Sequence, residues 1–180
     1  EMGVPGLAPS RIGTEAEIEA LKHGVAQFYP MLEGYPVLSE EASRFVKNFM
    51  DVDIRPEGII PTVGAMQASY VAFMALTECH KGKDTILFID PGFPVQKTQL
   101  EVIGKPYQTF DIYEYREEKL EAKLREYLDR GNIAGIVYSN PNNPSWVCLT
   151  DFELQVIGKL ATEYDTIILE DLAYFAMDFR

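Results

Sequence analysis

Residues 134–144 read Ala-Gly-Ile-Val-Tyr-Ser-Asn-Pro-Asn-Asn-Pro, and the fold follows from how this stretch changes character half-way. Ala134–Ser139 is apolar and β-branched, the composition of a buried strand. From Asn140 to Pro144 regular structure is excluded, because two prolines remove backbone donors and asparagine favours turns. A buried strand that breaks into a stiff, amide-rich turn is one way an α/β protein presents polar groups to a ligand. An ordinary strand-to-helix connection has the same composition, so the ends of the other strands decide between the two.

Working outward, Thr85–Asp90 (TILFID) is a strand, Pro94–Ile103 a short helix and Pro106–Phe110 a weaker strand. Glu114–Arg130 is a charged helix with Leu120, Leu124, Tyr127 and Leu128 inward. Its outer face is solvated, with Glu121–Arg125 and Glu126–Arg130 pairs at helical spacing. Downstream, Thr150 with Glu153 forms a capping box for a helix reaching Tyr164, and Thr166–Glu170 is the last strand. Strands alternating with helices predict parallel βαβ units and a doubly wound sheet. Upstream, Ser69–Leu76 is apolar on nearly all sides and predicts a helix buried all round.

The N-terminal third has a different texture. Residues 1–13 are rich in Gly and Pro and read as an extended segment. Thr14 and Glu17 form a capping box, followed by Ile18, Leu21, Val25 and Phe28 at helical spacing until Tyr29-Pro30. Ser39 caps a second helix with Ala42, Phe45, Val46, Phe49 and Met50 as its buried stripe. The expected organisation is therefore an extended segment (1–13), then one large domain over 14–180, helical in 14–58 and built of βαβ units in 59–180.

A chain of 180 residues, 47% hydrophobic, can bury a substantial core. Its net charge of −12 argues against a nucleic-acid partner. The two cysteines, Cys79 and Cys148, lack metal-ligand or CxxC spacing, so no structural metal is expected, and both are read as reduced and buried. There is no apolar run of about 18 residues and no signal-peptide pattern, so no membrane partner and a cytoplasmic location are expected. Glu1 in place of an initiating Met, and the abrupt Asp178-Phe179-Arg180, lead us to expect a piece of a longer polypeptide.

Ligands of open α/β sheets bind beyond the carboxyl ends of the strands. After TILFID comes Pro91-Gly92-Phe93-Pro94, which projects an aromatic ring. After AGIVYS come Asn140, Asn142 and Asn143. After TIILE comes Asp171, with Tyr174 three residues on. Thr62-Val63-Gly64-Ala65-Met66 opens the apolar helix, and its free N–H groups form a seat for a phosphate. An anion seat, a ring, an amide, a carboxylate and a phenol suit a flat, phosphorylated heteroaromatic ligand, and pyridoxal 5′-phosphate fits that description.

Gly64-Ala65-Met66, Pro91-Gly92-Phe93, Asn140-Pro141-Asn142-Asn143-Pro144 and Asp171-Leu172-Ala173-Tyr174 together resemble the class I/II aminotransferases of the fold-type-I pyridoxal-phosphate enzymes, over nearly the whole chain. The resemblance implies an α/β fold of three αβα layers, the mostly parallel sheet of that family's large domain, incomplete at its C-terminal end. It implies that Gly64, Ala65 and Met66 offer backbone donors to the phosphate and Phe93 stacks on the pyridine ring. Asn143 and Tyr174 would bond to the 3′-oxygen, and Asp171 would pair with the ring nitrogen. A carboxylate within ~4–6 Å keeps that nitrogen protonated. Glu170 is the rival acid, but strand alternation points it to the other face. Tyr29 resembles the tyrosine that reaches the phosphate of a neighbouring subunit, implying a homodimer, and Gly3-Val4-Pro5 resembles the Gly-x-Pro beside the substrate carboxylate.

The implied activity of the intact chain is transfer of an amino group between an amino acid and a 2-oxo acid. A carbon–sulfur β-lyase shares every motif, and an effector domain of a transcription regulator would bind the cofactor without turnover. A dinucleotide-binding domain is disfavoured, because no GxGxxG follows a strand. No catalytic residue is assigned within the chain, since the Schiff-base lysine is expected beyond Arg180. The chain departs from the family pattern after Asn143-Pro144, where Ser145-Trp146 stands for the usual Thr-Gly. Tryptophan is expected not to take the positive φ that glycine allows, so the turn is expected to differ beyond Pro144.

Overall fold

A computed structural model describes residues 6–175 and 177, and the chain divides into two compact units, Glu1–Pro61 and Thr62–Arg180. The second unit carries four strands, β1 (Thr85–Asp90), β2 (Tyr107–Asp111), β3 (Ile133–Ser139) and β4 (Ile167–Asp171). They are all parallel, in the order β2-β1-β3-β4. The chain leaves β1 towards one edge and returns to build the other, so the switch of strand order falls between β1 and β3. That is where open α/β sheets receive ligands.

Helices α3 (Gly64–Cys79) and α4 (Pro94–Ile103) cover one face, where Phe73, Leu76 and Leu100 meet Ile86, Phe88 and Val137. Helices α5 (Glu118–Leu128) and α6 (Asp151–Glu163) cover the other, with Leu120, Leu124, Ile157 and Leu160 against Leu87, Ile89 and Ile136. Three αβα layers result, as expected. Strand alternation assigns the faces: Leu169 packs with the α3/α4 cluster and Ile168 with the α5/α6 cluster. The alternation slips once, where Thr85 pairs with Ile133 but Ile86 with Gly135. A Cβ on Gly135 would lie 3.1 Å from Leu76 Cδ1, so glycine lets α3 close onto the sheet there.

The α6 capping box forms as expected, Thr150 Oγ1 accepting from Glu153 N. Its carboxylate is also the most deeply buried charge described, with no exposed side-chain surface. Glu153 accepts from Arg116 Nε (2.5 Å) and Nη2 (2.7 Å) and from the N–H groups of Glu117 (3.0 Å) and Thr150 (2.9 Å). Burial alone would raise its pKa, but these four donors outweigh that and hold the carboxyl below its ordinary value.

Several expectations are corrected. Helix α3 is not buried all round: it lays one face on the sheet and α4, and Met66, Val71 and Met74 are exposed. The charged helix starts at Glu118 and not Glu114, after a separate turn at Ile112–Glu114. Arg125 pairs with Glu121 as expected, but Glu126 pairs with Lys123, while Arg130 donates to Gln108. Cys79 is exposed and Cys148 half-buried, with no disulfide between them.

In the first unit, α1 spans Arg11–Lys22 and α2 Pro36–Met50. The cap of α1 is Ser10, whose Oγ accepts from Gly13 N; Thr14 instead sits inside the helix, its hydroxyl donating to Ser10 O. Val25 begins a separate short turn, so Val25 and Phe28 are not on α1, and Ile18 and Leu21 are exposed. Ser39 is likewise no cap: Pro36 opens α2 from Tyr35, and Ser39 is buried one turn in. The expected α2 stripe is only partly covered, Phe45 and Phe49 remaining exposed. No described helix is long and apolar enough to cross a membrane.

Candidate functional site

Strands β1, β3 and β4 end at Asp90, Ser139 and Asp171, and hydrogen bonds from the residues that follow β3 tie these ends together. Asn142, buried beyond β3, spans the switch point: its Nδ2 donates to Pro91 O (2.6 Å) beyond β1 and to Ser139 Oγ (3.1 Å). Its Oδ1 accepts from Ser145 N and Oγ, and its backbone N–H donates to Val147 O (3.0 Å). Asn140 continues the tie to β4, its N–H donating to Asp171 O (3.3 Å) while its Oδ1 accepts from Leu149 N. Two of the three asparagines are thus consumed by the turn. Asn143 is the third: its backbone N–H reaches Ser139 Oγ (3.3 Å), and its half-buried amide has no partner among the described residues.

Asp171 and Glu170 fall on opposite faces of β4. Asp171 lies on the α3/α4 face, where its Oδ2 accepts from Gln96 Nε2 of α4 (3.0 Å) and its Oδ1 from Ala173 N (3.0 Å). Glu170 pairs in register with Tyr138 on the other face. Desolvation raises its pKa against a hydrogen bond from Asn140, which makes it the poorer counter-ion of the two. Tyr174 follows Asp171 in a short turn, and its ring meets that of Trp146 edge-on at 5.3 Å.

At the other end of the site, α3 starts at Gly64, which holds φ +79°, a backbone state glycine adopts without strain. Val63, the residue before it, has no side-chain acceptor, and its own N–H is taken by Gln67 Oε1 (2.6 Å), while the N–H groups of Gly64, Ala65 and Met66 have no partner among the described residues, the setting for an anion. Met66 O accepts from Gln99 Nε2 (2.8 Å), and Gln99 Oε1 accepts from Ser69 Oγ (2.8 Å). Gln96 and Gln99 are both buried on one side of α4, so that helix links the first turn of α3 to Asp171. Phe93 is the residue before α4 and half-buried. Lys97, beside Gln96, is engaged by Asp90 at 2.5 Å.

Gly64, Ala65, Met66, Phe93, Asn143, Asp171 and Tyr174 therefore all belong to the second unit, on strand ends or on the first turns of α3 and α4. Tyr29 belongs to the first unit and is fully exposed. Gly3 lies outside the described residues. The sequence reading missed Gln96 and Gln99, which only their buried position, three residues apart on one helix, marks. It named Asn142 as one of three candidate amides but not its bridging role between the ends of β1 and β3. Among the described residues no group of His, Cys, Asp and Glu is placed to hold a metal ion.

The family model for aminotransferase class I and II matches residues 5–180. The chain belongs to that family. It is 30% identical over 176 residues to an aspartate aminotransferase of Pyrococcus horikoshii, covering 96% of this chain and 43% of that protein. The structure of an alanine aminotransferase from Pyrococcus furiosus superposes with a TM-score of 0.82 at 26% identity, covering 97% of this chain and 44% of that one. A putative PLP-dependent β-cystathionase from Corynebacterium diphtheriae shares the fold, with a TM-score of 0.71 at 18% identity over 92% of this chain and 41% of that one. The chain spans less than half the length of the relatives it matches.

Proposed function

We propose that the intact polypeptide carrying these residues is a pyridoxal-5′-phosphate-dependent aminotransferase that exchanges an amino group between an amino acid and a 2-oxo acid. The observation that carries this reading is Asp171: a carboxylate on the α3/α4 face, held by Gln96, with Tyr174 after the same strand and the Asn143 amide, unengaged among the described residues, beyond the neighbouring β3. The donor set suits the cofactor. The uncapped first turn of α3 offers N–H groups to a phosphate, and Phe93 offers a ring face. Asn143 and Tyr174 each carry a donor for the 3′-oxygen. Asp171 holds a proton at the ring nitrogen, and Gln96 fixes the orientation of that carboxylate. When bound, the cofactor supplies an electron sink for the substrate α-carbon.

Proton transfer is assigned to a lysine beyond Arg180, acting as general base. Gly3 is proposed to lie by the substrate carboxylate. Tyr29 is proposed to reach the phosphate of a second copy, in a cytoplasmic homodimer. In support, Tyr29 is fully exposed among exposed Phe28, Met31 and Leu32.

The intact polypeptide, purified with cofactor and treated with borohydride, should yield a pyridoxyl-lysine peptide downstream of Arg180. It should also form 2-oxo acid only when an amino acceptor is supplied. Asp171→Ala should weaken cofactor binding more than Glu170→Ala. The reverse ranking would identify the wrong acid, a colourless protein without the peptide would end the reading, and oxo acid formed without an acceptor would move it to a lyase.

A further inference from the structure

The turn after β3 departs from its family's pattern at Trp146, and the structure shows what that residue touches. Tryptophan does adopt the left-handed conformation: φ is +57°, at the position where the family pattern has glycine, and the turn carries an indole there. The hydrogen bonds of the turn fix that geometry. Trp146 N–H donates to Asn142 O (2.8 Å), Asn142 N–H donates to Val147 O (3.0 Å), and Val147 N–H donates to Ser145 Oγ (3.3 Å). Left-handed backbone is unfavourable for a bulky side chain, and core burial does not offset it here, because Trp146 is 57% exposed. What the indole does gain is the edge-on contact with Tyr174, ring centroids 5.3 Å apart and planes at 62°.

We infer that Trp146 is a positioning residue for Tyr174. It sets the phenol from the same turn that presents Asn143, so the two groups that converge on the 3′-oxygen are held by one rigid loop. Asn143 is placed by the chain three residues before the indole, and Tyr174, which comes from a different strand end, is placed by the indole itself. This inference rests on the proposed role of Tyr174 towards pyridoxal 5′-phosphate. It predicts an energetic coupling between residues 146 and 174 that a general stabilising role would not produce.

The test is a double-mutant cycle in the intact polypeptide. Pyridoxal 5′-phosphate affinity is measured by equilibrium dialysis, together with the wavelength of the bound cofactor's visible band. Trp146→Gly and Trp146→Asn both accept a positive φ and remove the ring, so the turn survives while the contact is lost. Each should weaken cofactor binding by roughly two- to tenfold, the range of one aromatic edge contact, and shift the visible band in the same direction as Tyr174→Phe. Trp146→Phe, which keeps an aromatic edge, should restore most of the affinity. Combining Trp146→Asn with Tyr174→Phe should cost no more than the worse single change. Equal losses from Trp146→Asn in the presence and absence of the Tyr174 hydroxyl, or no loss at all, would overturn the inference while leaving Tyr174 as a cofactor ligand. If Tyr174→Phe itself left affinity and spectrum unmoved, the ligand role of Tyr174 would fall and the inference with it.

Discussion

Replacing Glu153 by glutamine tests how the turn bearing Asn143 is anchored. Each carboxylate oxygen accepts two bonds: Oε1 from Arg116 Nε and Glu117 N, Oε2 from Arg116 Nη2 and Thr150 N. An amide can keep only one of these oxygens, and its NH2 group must face two donors on the other side. The change also strips the counter-charge from Arg116, which additionally donates to Cys148 O (3.2 Å) in the segment between the turn and α6. Breaking one partner of a buried ion pair costs about 3–5 kcal/mol. The Arg116 side chain is 32% exposed and regains some hydration, which places the expected loss near the lower bound, about 3 kcal/mol. Urea unfolding at about pH 7 measures it as a lowered midpoint at unchanged slope. Because the folded Glu153 carboxyl titrates below its ordinary 4.5, its contribution is fully present above that pH and is lost as pH falls through the folded value. The difference between the native chain and the glutamine variant should therefore shrink on acidification. A loss under about 1 kcal/mol at neutral pH, within the range of an exposed pair, would refute the reasoning.

Three further outcomes follow from the site. Asn142→Ala removes a buried, fully bonded amide and should cost about 2–3 kcal/mol in urea unfolding. Asn143→Ala should cost little stability but weaken cofactor binding in equilibrium dialysis, and a reversed pattern would exchange their roles. Gln96→Leu leaves one oxygen of Asp171 without its donor, and cofactor affinity should fall roughly ten- to a hundredfold, one hydrogen bond to a charged group; unchanged affinity would show that Asp171 is oriented without it.

The strands of the second unit were legible because short β-branched runs between turn residues have few alternatives, and a capping box such as Thr150/Glu153 is a two-residue signal. The first helices were not bounded well, for a physical reason. Ser10 and Thr14 are both competent caps, and Pro36 suits the first helical position as well as Ser39 suits a cap. Composition alone does not choose between them. The apolar stripes of α1 and α2 and the outer face of α3 read as core, yet much of their surface is exposed. Periodicity reports that a face is apolar, not what covers it. Trp146 shows the opposite case: steric preference argued against a positive φ, and the hydrogen bonds of the turn, reinforced by the contact with Tyr174, override it.

The buried glutamines of α4 were invisible for a different reason, since polar residues on a short helix are ordinarily read as its wet face. In the structure they are the part that relates the two ends of the site. Gln99 grips the first turn of α3 through Met66 O, and Gln96 grips Asp171. Three residues apart on one helix, they are separated by about 4.5 Å along its axis. That spacing is set by backbone hydrogen bonds and does not depend on either side chain's surroundings. A ligand with an anion at one end and a basic ring nitrogen at the other is therefore measured against a helix and not against a loop. The motifs that announce the family lie at strand ends and at the start of α3, but the link between Met66 and Asp171 is made by residues outside every motif.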